Sequence, residues 1–121
     1  MLGYKVFAAG LPDPLAACIC KDVGTAVSAA GTTQGTATEL VNADNEITTA
    51  AAGSGVVLSA SLASGDSQTV FNAGANAVKV YPPSGMKINA LAANAAMTLA
   101  VNTGCIYKCV STTRVFGVLS A

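Results

Sequence analysis

Apolar and polar residues alternate along most of the chain in short runs separated by Gly, Asn, Pro and Ser. In the run 77–81, Val78 and Val80 fall on one side of an extended strand and Lys79 falls on the other. Period-two runs of this kind, which recur about every 8–12 residues, predict an all-β domain, a small antiparallel sandwich or barrel of jelly-roll type. The predicted strands are 38–41, 46–50, 56–60, 68–72, 77–81, 86–90, 97–101, 105–110 and 114–119.

Two short segments predict turns between consecutive strands. Residues 42–45 (NADN) separate the first two strands, and 82–85 (PPSG) close a predicted hairpin between 77–81 and 86–90. The alanine-rich segment 90–100 leaves a helix open as an alternative, because Ala is the strongest helix former.

Residues 1–37 differ from the rest and predict an extended amino-terminal arm, with residues 38–121 as the compact β domain. Leu2, Tyr4 and Val6 alternate as in a strand, Phe7 adds an aromatic side chain, and the prolines at 12 and 14 disfavour both helix and central strand. The apolar side chains of the arm need shelter, which either the domain itself or a neighbouring subunit could supply.

The composition is poor in charge. Six basic and six acidic side chains cancel, and charged residues make up 10% of the 121, against roughly 25% in an ordinary soluble domain. Scattered lysines without interleaved aromatics predict no nucleic-acid binding. A surface of Ala, Thr, Ser, Gly and Asn is cheap to desolvate, so it is typical either of a small-residue-rich extracellular protein or of one covered in an assembly.

Targeting signals are weak in this sequence. No segment approaches the ~18 consecutive apolar residues of a membrane-spanning helix, so no membrane partner is predicted. Residues 15–18 (LAAC) imitate a lipoprotein cleavage box, but the apolar stretch 6–11 before it is short and is broken by 12–14. We expect a protein that is made and used without export through a membrane.

Four cysteines, Cys18, Cys20, Cys105 and Cys109, raise the question of a metal site or a disulfide. In an extended strand Cys105 and Cys109 lie ~13 Å apart, too far for two thiolates that bind one metal at ~2.3 Å. A disulfide between the two pairs stays open, and buried free thiols are the favoured interpretation.

Candidate catalytic groups are few. The chain has no histidine, the commonest general base, and no nucleophile elbow, phosphate loop or zinc-binding helix motif. Asp44 and Glu46, with Glu39 nearby, could form a carboxylate pair or, with the neighbouring Asn residues, a calcium site, but a β-turn explains these residue types without further assumption and is the favoured interpretation. We predict no enzyme activity and no cofactor or metal.

The Tyr81-Pro82-Pro83 segment at the predicted hairpin has two interpretations. A tyrosine beside two prolines can form an exposed contact patch for a partner protein, or the prolines can stiffen a turn that Tyr81 shields.

Five segments resemble a small β-domain of tailed-bacteriophage virion proteins, the group that includes capsid decoration (cement) proteins and fibre modules. They are AGTTQGTATEL at 30–40, GVVL at 55–58, VFNAGANAVKVYP at 70–82, SGMKINAL at 84–91 and AAMTLA at 95–100, so the likeness covers about residues 30–119.

The resemblance implies a non-enzymatic structural protein, a homotrimer on the outer surface of the phage head, assembled in the host cytoplasm. Its partners would be the major capsid protein and copies of itself. A fibre or receptor-binding module is the alternative. We expect Leu2, Tyr4, Val6 and Phe7 of the arm to dock on a neighbouring subunit or on the shell.

Overall fold

The structure is a computed structural model and describes residues 22–120. The prediction of an all-β protein is confirmed, since every regular element in that part of the chain is a strand. The ten strands are β1 (Val23–Ser28), β2 (Thr38–Glu39), β3 (Asp44–Thr49), β4 (Gly55–Val57), β5 (Ser67–Asn72), β6 (Val78–Tyr81), β7 (Lys87–Ile88), β8 (Met97–Leu99), β9 (Thr103–Cys109) and β10 (Arg114–Leu119). The alternative of a helix over 90–100 is wrong, because this segment contains β8.

The first six strands alternate between two sheets. In the large sheet β1, β3 and β5 are neighbours, and in the small sheet β2, β4 and β6 are neighbours. All of these pairs are parallel. In their register Asp44 lies beside Thr69, and Val56 lies beside Val80. The chain therefore winds as a short β-solenoid of three turns.

The remaining strands complete the two sheets, mainly through antiparallel pairing. β9 pairs with β5 and with β10, β7 pairs with β10 in parallel, and β8 pairs with β6. The orders are β1-β3-β5-β9-β10-β7 in the six-stranded sheet and β2-β4-β6-β8 in the four-stranded sheet. Because both sheets are mixed, the prediction of a purely antiparallel, jelly-roll-like sandwich or barrel is corrected.

Neither predicted turn joins two paired strands. Of the predicted turn 42–45, residues 42 and 43 lead from β2 in the small sheet to β3 in the large one, and Asp44 and Asn45 already belong to β3. Residues 82–85 lead from β6 in the small sheet to β7 in the large one, so the predicted hairpin at 82–85 is wrong. Alternation shows which side chains of a strand point inward, but it does not show which strand lies alongside.

One hydrophobic core lies between the sheets. Val78 and Val80 are fully buried and Lys79 between them is exposed, as the alternation predicts. The large sheet contributes Ile47, Val70, Cys105, Tyr107, Cys109 and Val115, and the small sheet and its continuations contribute Val56, Leu58, Val78, Val80 and Leu99.

The buried side-chain amides of Gln68 and Asn72, both on β5, form hydrogen bonds to the backbone of the loops that connect the two sheets. Gln68 accepts a hydrogen bond from the Ser59 backbone N–H and donates to the carbonyls of Leu40 and Asn42. At the other end of the strand, Asn72 donates to the carbonyls of Asn76 and Leu99 and accepts from Gly74 N–H. Backbone N–H and C=O groups of these loops have no neighbouring strand to pair with, and the two amides supply their hydrogen bonds.

The predicted arm extends only partly into the described residues. Of residues 1–37, the segment Val23–Ser28 is β1, an edge strand of the large sheet, and Ala29 belongs to the core. Residues 1–21, including Cys18 and Cys20, lie outside the described part.

Candidate interaction surface

The outward side of the six-stranded sheet, here called the outer face, carries an unusual number of apolar side chains. Phe71 is 47% exposed, Ile106 51% and Val118 67%. We call the whole set of exposed apolar side chains on and beside this face the apolar patch; it consists of Val23, Phe71, Ile106, Phe116, Val118 and Leu119. An outward strand side that faces only water is normally polar.

Strand register places the patch residues on one surface, with the polar Asp44 and Thr69 between Val23 and the other members. Val23, Asp44, Thr69, Ile106 and Val118 occupy one row across β1, β3, β5, β9 and β10. Neighbouring positions in such a row are about 5 Å apart, so their side chains contact one another. A shallow groove of about 480 Å³ runs along this row.

Gly104 on β9 shapes the centre of the groove. It lies beside Phe71 in the register, and a Cβ atom on Gly104 would stand 2.7 Å from Cδ1 of the Phe71 ring. The missing side chain lets the ring lie across the strand.

Charged groups of opposite sign lie toward opposite sides of the outer face. On the β3 side, Asp44 and Glu46 point outward; we call them the acidic side. Toward β10, Lys108 and Arg114 form the basic side, and Lys87 lies beside Arg114 on β7. The Arg114 guanidinium lies 5.6 Å from the centroid of the Phe116 ring, and Lys108 Nζ donates to the Gly65 carbonyl at 3.1 Å.

The structure places Tyr81, Pro82 and Pro83 inside the fold. All three are buried, and the Tyr81 hydroxyl donates to the Thr32 carbonyl at 2.9 Å. Gln34 donates to the Pro82 carbonyl, so the segment 31–37 covers this corner. The contacts match the shielded rigid turn, and they leave no exposed patch at these residues. Leu2, Tyr4, Val6 and Phe7 lie outside the described residues.

The carboxylates do not converge. Asp44 and Glu46 share the outer face of β3, Glu39 belongs to the other sheet, and the Asn45 side chain between the two acids points inward and donates to the Asn42 and Thr69 carbonyls. In residues 22–120, no three His, Cys, Asp or Glu side chains are grouped so that they could hold a metal ion.

Cys105 and Cys109 point into the core as free thiols. Burial raises the pKa of the Cys105 thiol, which weakens it as a nucleophile at neutral pH. Burial also raises the pKa of Tyr107, and the neighbouring Cys105 adds to this effect. These groups support the fold and offer no reactive centre.

The sequence analysis missed the apolar patch. Its signal was present, because the last strand (RVFGVL) is apolar at both alternating sets of positions and β9 (TGCIYKC) places Ile106 opposite to its buried neighbours. A strand that is apolar on both sides is typical of a strand whose two faces are both covered by protein.

Comparison with protein-family models, with curated proteins and with solved structures gave no match to this chain. The described part, 22–120, includes no helix that is long and apolar enough to cross a membrane.

Proposed function

We propose that the protein is a structural virion protein, a decoration protein that binds the outer surface of a bacteriophage head and stabilises it. The observation that carries the proposal is the apolar patch on the outer face, which is suited to burial against a neighbouring chain in an assembly. The sparse charge of the whole chain and the resemblance of residues 30–119 to virion β-domains support it.

A decoration protein stabilises a shell by adding contact area between neighbouring capsid subunits. Because it binds the expanded shell and not its dissociated subunits, binding shifts the equilibrium toward the intact shell by mass action. Several copies held together bind with higher avidity than one copy, so modest contacts per copy suffice.

The proposed partners are the major capsid protein and copies of the same chain, in a homotrimer on the capsid exterior. The arm, with Leu2, Tyr4, Val6 and Phe7, supplies the contact to the shell or to a neighbouring subunit. This arrangement involves no catalytic step, no cofactor, no nucleic acid and no membrane.

A fibre or receptor-binding module remains the second candidate. Two exposed aromatic rings on the outer face, Phe71 and Phe116, are the feature that favours it, because sugar rings stack on aromatic side chains. The aliphatic neighbours Val23, Ile106 and Val118 favour a protein partner instead.

Binding to empty expanded heads of the phage that encodes this chain tests the proposal. Heads lacking the protein are incubated with increasing amounts of it and pelleted, and the bound copies per capsid subunit are counted. We expect saturation at a fixed stoichiometry and a higher melting temperature of the decorated heads. Failure to pellet with heads, together with binding to host cells, would favour the receptor-binding module and overturn the proposal.

A further inference from the structure

The apolar area and the charge arrangement of the outer face indicate what kind of partner covers it. Its six apolar side chains expose on the order of 500 Å² of apolar surface, near the top of the range for the largest patch of a monomer. A stable interface buries roughly 800 Å² per partner, so the patch supplies more than half of such an area and the polar side chains around it can supply the rest.

The charges on this face are arranged to fit each other. The acidic side lies on β3, and the basic side lies on β9 and β10, with the patch residues Phe71 and Ile106 on the strands from β5 to β9. If the β3 side of one copy meets the β10 side of the next, carboxylates face cations along the contact. Opposite potentials of this kind fix the register of two partners and disfavour other arrangements.

We propose that the outer face of the six-stranded sheet is the self-association surface of this protein, occupied by another copy with the acidic side of one chain against the basic side of the next. The inference deepens the proposed function, on which it rests for the idea of an oligomeric decoration protein, by assigning the patch to the contact between subunits and leaving the shell contact to other residues.

Contacts in which the β3 side of one copy meets the β10 side of the next are head-to-tail, and such contacts close into a ring when the geometry allows it. Three copies are the number that the proposed function takes for this ring.

Sedimentation velocity of the full chain at micromolar concentrations tests the proposal. We expect a trimer for the wild type and a monomer for Ile106→Lys, since a lysine at the centre of the patch must be desolvated in the contact. Val41→Lys is the matched control, because Val41 is 76% exposed and lies between β2 and β3, outside the strands of the outer face; we expect this variant to stay trimeric. A monomeric wild type, or a trimer that survives Ile106→Lys, overturns the proposal.

Exchanging the charges of the acidic and basic sides gives a second and more specific test. In the double variant Asp44→Lys with Glu46→Lys, both sides of the face are basic, and we expect the dissociation constant to rise at least about tenfold. Adding Lys108→Glu and Arg114→Glu places carboxylates opposite the new lysines while Lys87 stays unchanged, and we expect this to restore association. Circular dichroism checks that each variant is folded. If the fourfold variant stays as weak as the double one, the two sides do not face each other and the proposal is wrong.

The two proposals can fail separately. A monomeric protein that still saturates empty heads would contradict the self-association surface alone. A trimer that does not bind empty heads would contradict the decoration function alone.

Discussion

Gly104 and Phe71 show how one residue shapes the outer face. The ring of Phe71 occupies the space where a side chain at 104 would stand, with Cδ1 2.7 Å from the Cβ position. A contact this short forces the ring to move, and its new position changes the groove along the central row of the patch.

We expect Gly104→Ala to lower the free energy of unfolding by about 1 kcal/mol through this overlap. Phe71→Ala alone costs less, because the ring is half exposed. In the double variant the overlap is gone, so its loss of stability is smaller than the sum of the two single losses. Urea denaturation of the four proteins measures the coupling, and strictly additive losses would show that the ring and residue 104 do not compete for space.

Cys105 and Tyr107 make stability depend on pH in the alkaline range. Burial raises the pKa of both groups in the folded chain, whereas the unfolded chain loses these protons near the ordinary values of about 8.5 and 10. The stabilisation is therefore complete below about pH 8.5 and is lost as pH rises further, because the unfolded chain then binds fewer protons than the folded one.

Between pH 7.5 and pH 10 we expect the free energy of unfolding to fall, and to fall less for Cys105→Ala measured over the same interval. Tyr107→Phe is the matched variant for the phenol, since it keeps the buried ring and removes the hydroxyl, which lies 3.7 Å from Met97 Sδ and beside Cys105. Urea midpoints at the two pH values give the comparison. Equal losses in all three proteins would mean that neither group causes the effect.

At the level of the strands, the sequence predicted positions and inward-facing sides better than partners. Predicted strand 114–119 coincides with β10, and the inward side of β6 is correct. Parallel pairing of β3 with β5 joins residues about 25 apart, and no local pattern encodes that choice. For the same reason the site was missed: the patch gathers residues of four strands that become neighbours only after pairing is fixed.

Gln68 connects two turns of the solenoid, so its loss acts on whole elements. Its side chain satisfies Ser59 N–H and the carbonyls of Leu40 and Asn42. We expect Gln68→Leu to lower the free energy of unfolding by about 2–3 kcal/mol, because it leaves buried backbone groups without partners. Thr69→Ala, on the outer face of the same strand, is the control and lowers it by no more than about 1 kcal/mol, because no buried backbone group loses a partner. Thermal or urea unfolding measures both, and a Gln68→Leu protein as stable as the control would contradict this role.

For the whole molecule, the arm and the outer face have separate tasks in the proposed assembly. Deletion of residues 2–10 removes Leu2, Tyr4, Val6 and Phe7, and we expect it to lower the occupancy of empty heads at least about tenfold while the subunits still associate, because avidity cannot compensate for the lost shell contact. Pelleting with heads and sedimentation velocity measure the two properties. Undiminished occupancy would remove the arm from the shell contact.

Sparse charge and an apolar outer face are properties of a chain suited to burial in an assembly. The central claim is that this assembly forms a coat on the outer surface of a phage head. Electron cryomicroscopy of the native particle at low resolution tests it most directly. The account predicts copies of the protein that tile the outside of the shell in a fixed ratio to the capsid subunits. Density confined to a single vertex or to the tail, with a bare shell, would contradict it.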